Sequence, residues 1–379
     1  MVGVVSKPDT NGKLEILSTD AQYDLACACS CSKDEHRQRS DDGKWIYPVT
    51  LPNGGKSTLF KTLISNVCVN DCKYCPLRID TDIRRCSLGV QETAKVFLDY
   101  YKQRKVFGLF LSSGVLGSAD ATMERLNAVA RLLRKKHKFR GYIHLKIIPG
   151  ASDAAIEEAI SLASTVSLNI ETPGAKNLAK LSDKKEYIKD IIEPIKLISR
   201  LTARGMKYEK VKQTTQFIVG AAGEPDTEIV KYMFGLYERL KMHRVYFSAY
   251  QKGLGDESII GEQLEPETPN DVFMREHRLY QVDFLLRKYG FEESDIVFEK
   301  NGNLSLTTDP KEAWALGHPG FFPLNVNRAL KLELLRVPGL GPVTVRRILE
   351  RRKQARLRHI EDVGKVGVRL QKAKKYLAF

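Results

Sequence analysis

Between about Thr58 and Tyr250 the chain alternates short apolar stretches with longer stretches of helical periodicity, which restricts it to few folds. The strand candidates are "TLFKTLIS" (58–65), "VFGLFLSS" (106–113), "YIHLKII" (142–148), "TVSLNI" (165–170), "QTTQFIV" (213–219) and "RVYFSA" (244–249). They are rich in β-branched and aromatic residues, as strands covered by helices tend to be. Between them, "QETAKVFLDYYKQRK" (91–105) and "ADATMERLNAVARLLRKK" (119–136) read as helices, the second with Leu126, Val129, Leu132 and Leu133 at helical spacing and Asp120 as its N-cap. "AIEEAISLAS" (155–164) and "PDTEIVKYMFGLYERL" (225–240) continue the pattern. Six β–α units in succession imply a parallel sheet with right-handed crossovers. They are too few for an eight-fold barrel, so the expected fold is α/β, an open or partial (β/α)6 barrel.

A chain of 379 residues has room for two or three domains. The expected division is 1–50, an N-terminal segment with a Cys-rich stretch; 51–262, the barrel; 263–324, a helical connector; and 325–379, a basic tail. No run of 18 apolar residues occurs, so no membrane contact is expected. The start, "MVGVVSKPDT", does not read as a secretion signal, and the expected location is cytoplasmic. The seven cysteines are odd in number and mostly clustered, which argues against a disulfide framework and for metal binding. The net charge of +15 is concentrated near the end, where 328–379 hold fifteen Lys/Arg against four Asp/Glu. Such a segment suits a polyanion.

"NVCVNDCKYCPLR" (66–78) carries Cys68, Cys72 and Cys75 just after the first barrel strand. In parallel α/β folds, loops at the carboxyl ends of strands carry the chemistry. A closed zinc site wants four ligands, and no histidine lies within thirty residues of this trio. Three thiolates suit an iron–sulfur cluster with one iron left open to a small-molecule ligand; a zinc knuckle that borrows another cysteine is the alternative.

The Cys-x3-Cys-x2-Cys spacing, with Tyr74 directly before Cys75, resembles the signature of the radical S-adenosylmethionine (radical SAM) enzymes. That resemblance implies a [4Fe-4S] cluster held by Cys68, Cys72 and Cys75 and S-adenosylmethionine on the open iron. It also implies reductive cleavage to a 5′-deoxyadenosyl radical, an electron donor such as a flavodoxin or ferredoxin, and a partial (β/α)6 barrel. The family's Gly-Gly-Glu turn is replaced here by Ser112, Ser113, Gly114 and Val115, without the acid. Asn169 and Glu171 stand where the family binds ribose, and Val219 and Gly220 where backbone approaches adenine. Cys86 and Tyr142 are speculative hydrogen-atom donors; the catalytic residue itself is unknown.

"CACSC" sets Cys27, Cys29 and Cys31 at alternate positions, so on an extended segment their thiols share a side. With Cys86 they suit an auxiliary cluster or metal; the other reading is small buried hydrophobes. "NGGKST" (53–58) mimics a phosphate loop, but Thr50 stands where that motif needs glycine and a strand follows instead of a helix.

In the tail, "LLRVPGLGPVTVRRILERR" (334–352) reads as helix, glycine turn, helix, with Gly339 and Gly341 free to take positive φ and Pro342 in the next first turn. The exposed N–H groups of such a turn suit phosphate, with Thr344, Arg346 and Arg347 close by. A weaker copy lies 26 residues on, pairing Gly367 with Gly341 and putting Lys365 in place of the first glycine. This resembles the helix-hairpin-helix motif. With the cysteine region, "HRLYQVDFLLRKYGF" (277–291) and "DPKEAWALGHP" (309–319), the chain resembles DNA modification/repair radical SAM proteins with a C-terminal helix-hairpin-helix domain. That resemblance implies modification or repair of DNA, a nucleotide turned out of the stack, and a uracil-DNA-glycosylase-like partner. RNA (tRNA) modification is the alternative, and a non-enzymatic iron–sulfur DNA-binding protein the third reading.

Overall fold

The computed structural model describes residues 8–24, 43–50, 55–265, 268 and 270–379; Cys27, Cys29 and Cys31 lie outside the described residues. The chain forms two compact units, Met1–Glu224 with Gly235–Glu276, and Pro225–Phe234 with His277–Phe379. No helix among the described residues is long and apolar enough to cross a membrane.

The first unit is built on seven strands lying side by side in chain order: β1 (Ile46–Thr50), β2 (Lys56–Leu63), β3 (Gly108–Ser112), β4 (Tyr142–Lys146), β5 (Thr165–Ser167), β6 (Lys212–Val219) and β7 (Arg244–Ala249). From β2 to β7 every pairing is parallel. These six strands are the ones the alternation predicts, and they curl into an open half-barrel. β1 is the addition: it pairs antiparallel with β2, Tyr47 opposite Leu59, although no strand candidate is read in 1–50. Its alternation is short and interrupted by Pro48, which an edge strand tolerates.

The helices of this unit are α1 (Thr10–Asp20), α2 (Val90–Lys102), α3 (Ala119–Arg131), α4 (Asp153–Leu162), α5 (Gly174–Leu181), α6 (Glu193–Leu201), the end of α7 (Asp226–Leu240) from Gly235 on, α8 (Ile260–Gln263) and the start of α9 (Asp271–Lys288) up to Glu276. Leu126, Val129 and Leu133 are fully buried, as the periodicity requires. The cap of α3 differs from expectation. Ser118 accepts the Ala121 amide at 3.1 Å, while Asp120 sits inside the first turn and accepts the Ser152 amide at 2.7 Å.

The second unit holds the start of α7 up to Phe234 and the rest of α9 from His277 on, with α10 (Pro310–Gly317), β8 (Leu324–Asn325), α11 (Lys331–Arg336), α12 (Pro342–Arg351), α13 (Val368–Lys374) and β9 (Leu377–Ala378). Leu334, Leu340, Val345, Ile348, Val363 and Ala373 share one core. Residues 277–324 belong to the same unit as 325–379. Lys311, buried against the Tyr289 ring, donates from Nζ to the Leu335 carbonyl at 2.9 Å and the Leu340 carbonyl at 2.5 Å, tying down the turn between α11 and α12.

The glycines of that turn divide their work differently from the sequence reading. Gly339 has φ +86°, but Gly341 is extended at φ −113° and serves as the N-cap of α12. In the second copy Gly367 is likewise an extended N-cap, and the positive φ falls on Gly364. A Cβ on Gly339 would lie 2.1 Å from the Arg369 carbonyl oxygen. Gly339→Ala therefore combines a left-handed strain with a backbone clash. The expected cost is about 2–4 kcal/mol, read as a lower midpoint in chemical denaturation; Gly341→Ala, with no contact closer than 3.6 Å, should cost less than half as much.

Candidate radical SAM site

Cys68, Cys72 and Cys75 lie on the loop that leaves the carboxyl end of β2 and border one cavity at the barrel mouth. The loop is stitched down on several sides. Arg85 spans it, donating to the carbonyls of Asn66 (2.6 Å), Leu77 (2.8 Å), Arg78 (2.8 Å) and Thr81 (3.1 Å). Asp71 accepts from Ser182 Oγ at 2.6 Å and the Asp183 amide at 2.9 Å, and the Lys73 carbonyl accepts the Asp256 amide at 2.7 Å. Gly114 packs so closely that a Cβ would lie 2.5 Å from the Val67 carbonyl.

The sulfurs already have donors. The Val115 amide points at Cys68 Sγ and the Leu77 amide at Cys75 Sγ, each at 3.4 Å. Burial pushes the Cys72 and Cys75 thiols up, while the positive charge of Lys185 opposes that. Lys185 is itself buried. Its Nζ lies 3.2 Å from Tyr74 Oη and 3.7 Å from Glu171 Oε1.

Side chains alternate along strands, so inward residues form layers. The layer at the cavity includes Leu63, Ser112, Lys146, Asn169, Gln216 and Ser248. Asp24, from the turn after α1, enters this layer: its carboxylate accepts from Ser112 Oγ at 2.7 Å and pairs with Lys146 Nζ at 3.1 Å, and Lys146 also bonds Asn169 Oδ1. Lys146, Ser112 and the nearby Lys61 hold the Asp24 carboxyl below its usual range despite burial. Beneath lie Phe110 and His144, with His144 Nε2 2.8 Å from Ser167 Oγ. Glu171 follows β5 in a left-handed conformation, φ +65°, fixed because its amide bonds the Gln216 carbonyl and its carbonyl the Ile218 amide. This turn aims the carboxylate at the cavity, where Oε2 is buried without a hydrogen-bond partner.

Residues 62–234 match the family model described as the radical SAM superfamily. The chain carries a radical SAM domain. Among solved structures it resembles the FeFe-hydrogenase maturase HydG from Carboxydothermus hydrogenoformans (16% identity, 59% of this chain and 51% of that one, TM-score 0.45). It also resembles methylornithine synthase PylB (12%, 60% and 61%, 0.47) and the radical SAM methyltransferase TsrM from Kitasatospora setae (15%, 50% and 35%, 0.39). The chain thus spans about half to three fifths of the first two. No curated protein matches it.

A radical SAM domain implies a [4Fe-4S] cluster and S-adenosylmethionine, and the donor set fits both. Among the described residues no three His, Cys, Asp or Glu side chains converge to hold a single metal ion. Zinc needs its thiolates at about 2.3 Å from one point, whereas a cluster offers an iron to each thiolate. The partnerless oxygen of Glu171 fits a hydroxyl donor of a ligand.

Of the residues predicted to hold cofactor, Tyr74, Ser112, Ser113, Gly114, Asn169 and Glu171 all line the cavity with the three cysteines. Val219 and Gly220 do not. The Val219 carbonyl accepts the Tyr250 amide at 2.9 Å and the Gly220 amide donates to Glu224 Oε1 at 2.6 Å, so the backbone groups expected to meet adenine are engaged, and Gln216 and Ile218 face the cavity instead. Neither speculative hydrogen donor lines it. Tyr142 begins β4, roughly 13 Å of strand from Lys146 at its other end. Cys86 is half-buried, and its amide bonds Asn66 Oδ1 at 2.7 Å.

Lys185, Lys146, Asp24 and Arg85 were not legible beforehand. Lys185 stands in "SDKKEY" beside an equivalent Lys184, and no local pattern separates the lysine that turns inward.

Burial, aided by Lys146 and Lys61, pushes the His144 imidazole down to about 3. Folding then favours the neutral ring, and the unfolded chain binds the extra proton between about pH 3 and 6.5. Stability should fall on acidification through that window, by roughly 2–3 kcal/mol between pH 6.5 and 4.5. Thermal melts across this range should show the slope, and His144→Gln should flatten it.

Proposed function

We propose that this protein is a radical SAM enzyme that modifies or repairs DNA. The observation that carries the DNA reading is the basic C-terminal unit, in which α12 and α13 each begin at a capping glycine, Gly341 and Gly367. Lys/Arg outnumber Asp/Glu there by fifteen to four over 328–379. Arg346, Arg347 and Lys365 are exposed around these helix starts, and Thr344 is half-buried on the first turn of α12. This supports a paired helix-hairpin-helix that grips phosphates through N–H groups and arginines without reading bases.

In the barrel, Cys68, Cys72 and Cys75 would hold the cluster. Asn169 and Glu171 would receive hydroxyl groups of S-adenosylmethionine, with Ser112, Ser113, Gly114 and Tyr74 lining the remainder. When bound, the pair supplies a carbon-centred radical that removes hydrogen from substrate. Lys146, fixed by Asp24 and Asn169, would meet a substrate polar group at the layer below. A flavodoxin or ferredoxin would deliver the electron, and a uracil-DNA-glycosylase-like protein is the partner this reading implies.

Two measurements separate the halves of this reading. Cys72→Ala should abolish iron retention and 5′-deoxyadenosine formation after anaerobic reconstitution, yet leave duplex DNA affinity within twofold. Arg346→Ala with Arg347→Ala should keep the iron but lower the dependence of log affinity on log salt by about 1.8, two phosphate contacts' worth. Tighter binding to a structured RNA than to duplex DNA in direct competition would turn the proposal to RNA modification, since A-form helices space their phosphates differently.

A further inference from the structure

We propose that Asp24 and Lys146 together read the edge of a nucleobase: the ammonium donates to a ring carbonyl and the carboxylate accepts the ring N–H beside it. The base taken is then one with that edge, thymine, uracil or guanine. This rests on the DNA reading above and names the part of the nucleotide that enters the barrel. A lysine ammonium has three donors, and an ionised carboxylate accepts at about four sites. Lys146 spends one donor on Asp24 Oδ1 at 3.1 Å and one on Asn169 Oδ1, and Asp24 also accepts from Ser112 Oγ at 2.7 Å. Among the described residues neither side chain makes a further hydrogen bond, which leaves a donor and an acceptor side by side. Both side chains line the cavity that holds Cys68, Cys72 and Cys75.

Charge and shape select the ligand. The pair is neutral overall, and Asp24 repels a phosphate wherever Lys146 could hold one. A neutral edge carrying an acceptor next to a donor meets both groups at once. Lysine is a partner of base carbonyls, whereas adenine is usually met by the amides of Asn and Gln. Leu63, Val115, Ile218 and Leu254 add apolar wall to the same cavity, suited to the faces of a flat ring. In a duplex this edge is occupied by the pairing partner, so only a base turned out of the stack presents it. Asp24 lies outside residues 62–234, so half of the reader comes from a segment beyond the matched radical SAM domain.

The test is equilibrium binding to the anaerobically reconstituted protein, loaded with S-adenosylmethionine and left without reductant. The probes are one duplex whose single unpaired position carries thymine, guanine, thymine methylated on its ring N–H, or an abasic site. Thymine or guanine should bind about tenfold more tightly than the abasic site, the effect of one charged hydrogen bond. The methylated thymine should bind like the abasic site, a result that needs no variant to fold. Asp24→Asn/Lys146→Met removes both charges together, so neither is stranded. It should bring thymine and guanine down to the abasic level, with affinity for the abasic duplex and for S-adenosylmethionine within twofold of the parent. Equal affinity of the parent for all the probes overturns the inference, as does a base preference that survives in the double variant. Loss of S-adenosylmethionine affinity in that variant also overturns it and assigns the pair to the cofactor. Failure of the parent to bind any of the duplexes overturns the DNA reading instead.

Discussion

Three thiols buried together at a barrel mouth create the constraint that the surrounding structure answers. A cluster needs thiolates, yet burial holds the protons on Cys72 and Cys75. The chain responds with two donors, the Val115 and Leu77 amides, and with the positive charge of the buried Lys185. Each comes from a segment distant from, or turned back on, the cysteine loop, so the site exists only once the loop is stitched down. Arg85 performs much of that stitching. One guanidinium meets four carbonyls where the loop folds over itself.

The half-barrel contributes a second constraint through its register. Because every strand from β2 to β7 is parallel and adjacent in sequence order, inward positions at the carboxyl ends fall in one layer. That layer is largely polar: Ser112, Lys146, Asn169, Gln216 and Ser248 line it, and Asp24 joins Ser112 and Lys146 there. A parallel sheet buried on both faces is normally apolar throughout. Here only the outward faces, under α2, α3 and α4, follow that rule, and the interior retains paired charges and a neutral His144. Pairing makes such an interior tolerable; Asp24 with Lys146 and Glu171 with Lys185 each neutralise a charge that would be costly alone.

The C-terminal unit solves a smaller problem with backbone. Gly339 allows the chain to pass within reach of the Arg369 carbonyl, and Lys311 satisfies carbonyls at the end of α11 and in the turn that follows. Two short helices then start from capping glycines and have exposed residues in their first turns. The apolar cluster of Leu334, Val345, Ile348 and Val363 lies behind them.

Local chemistry by itself determined the order of elements, the parallel sheet and the cysteine trio, because periodicity and spacing are properties of neighbouring residues. Cys68, Cys72 and Cys75 share one loop, so their eight-residue span already places them together, and the same holds for Gly339 and Gly341 in their turn. The tertiary structure decided what sequence distance conceals. It selected Lys185 over Lys184, brought Asp24 across 88 residues to Ser112, turned Glu171 inward through a left-handed backbone, and moved the cap of α3 to Ser118. It also withdrew Val219 and Gly220, whose backbone groups find partners in Tyr250 and Glu224, and left Tyr142 at the far end of its strand. A side chain's local pattern records whether it is polar; which polar side chain is buried depends on the charge it meets there, and that partner is supplied by the fold.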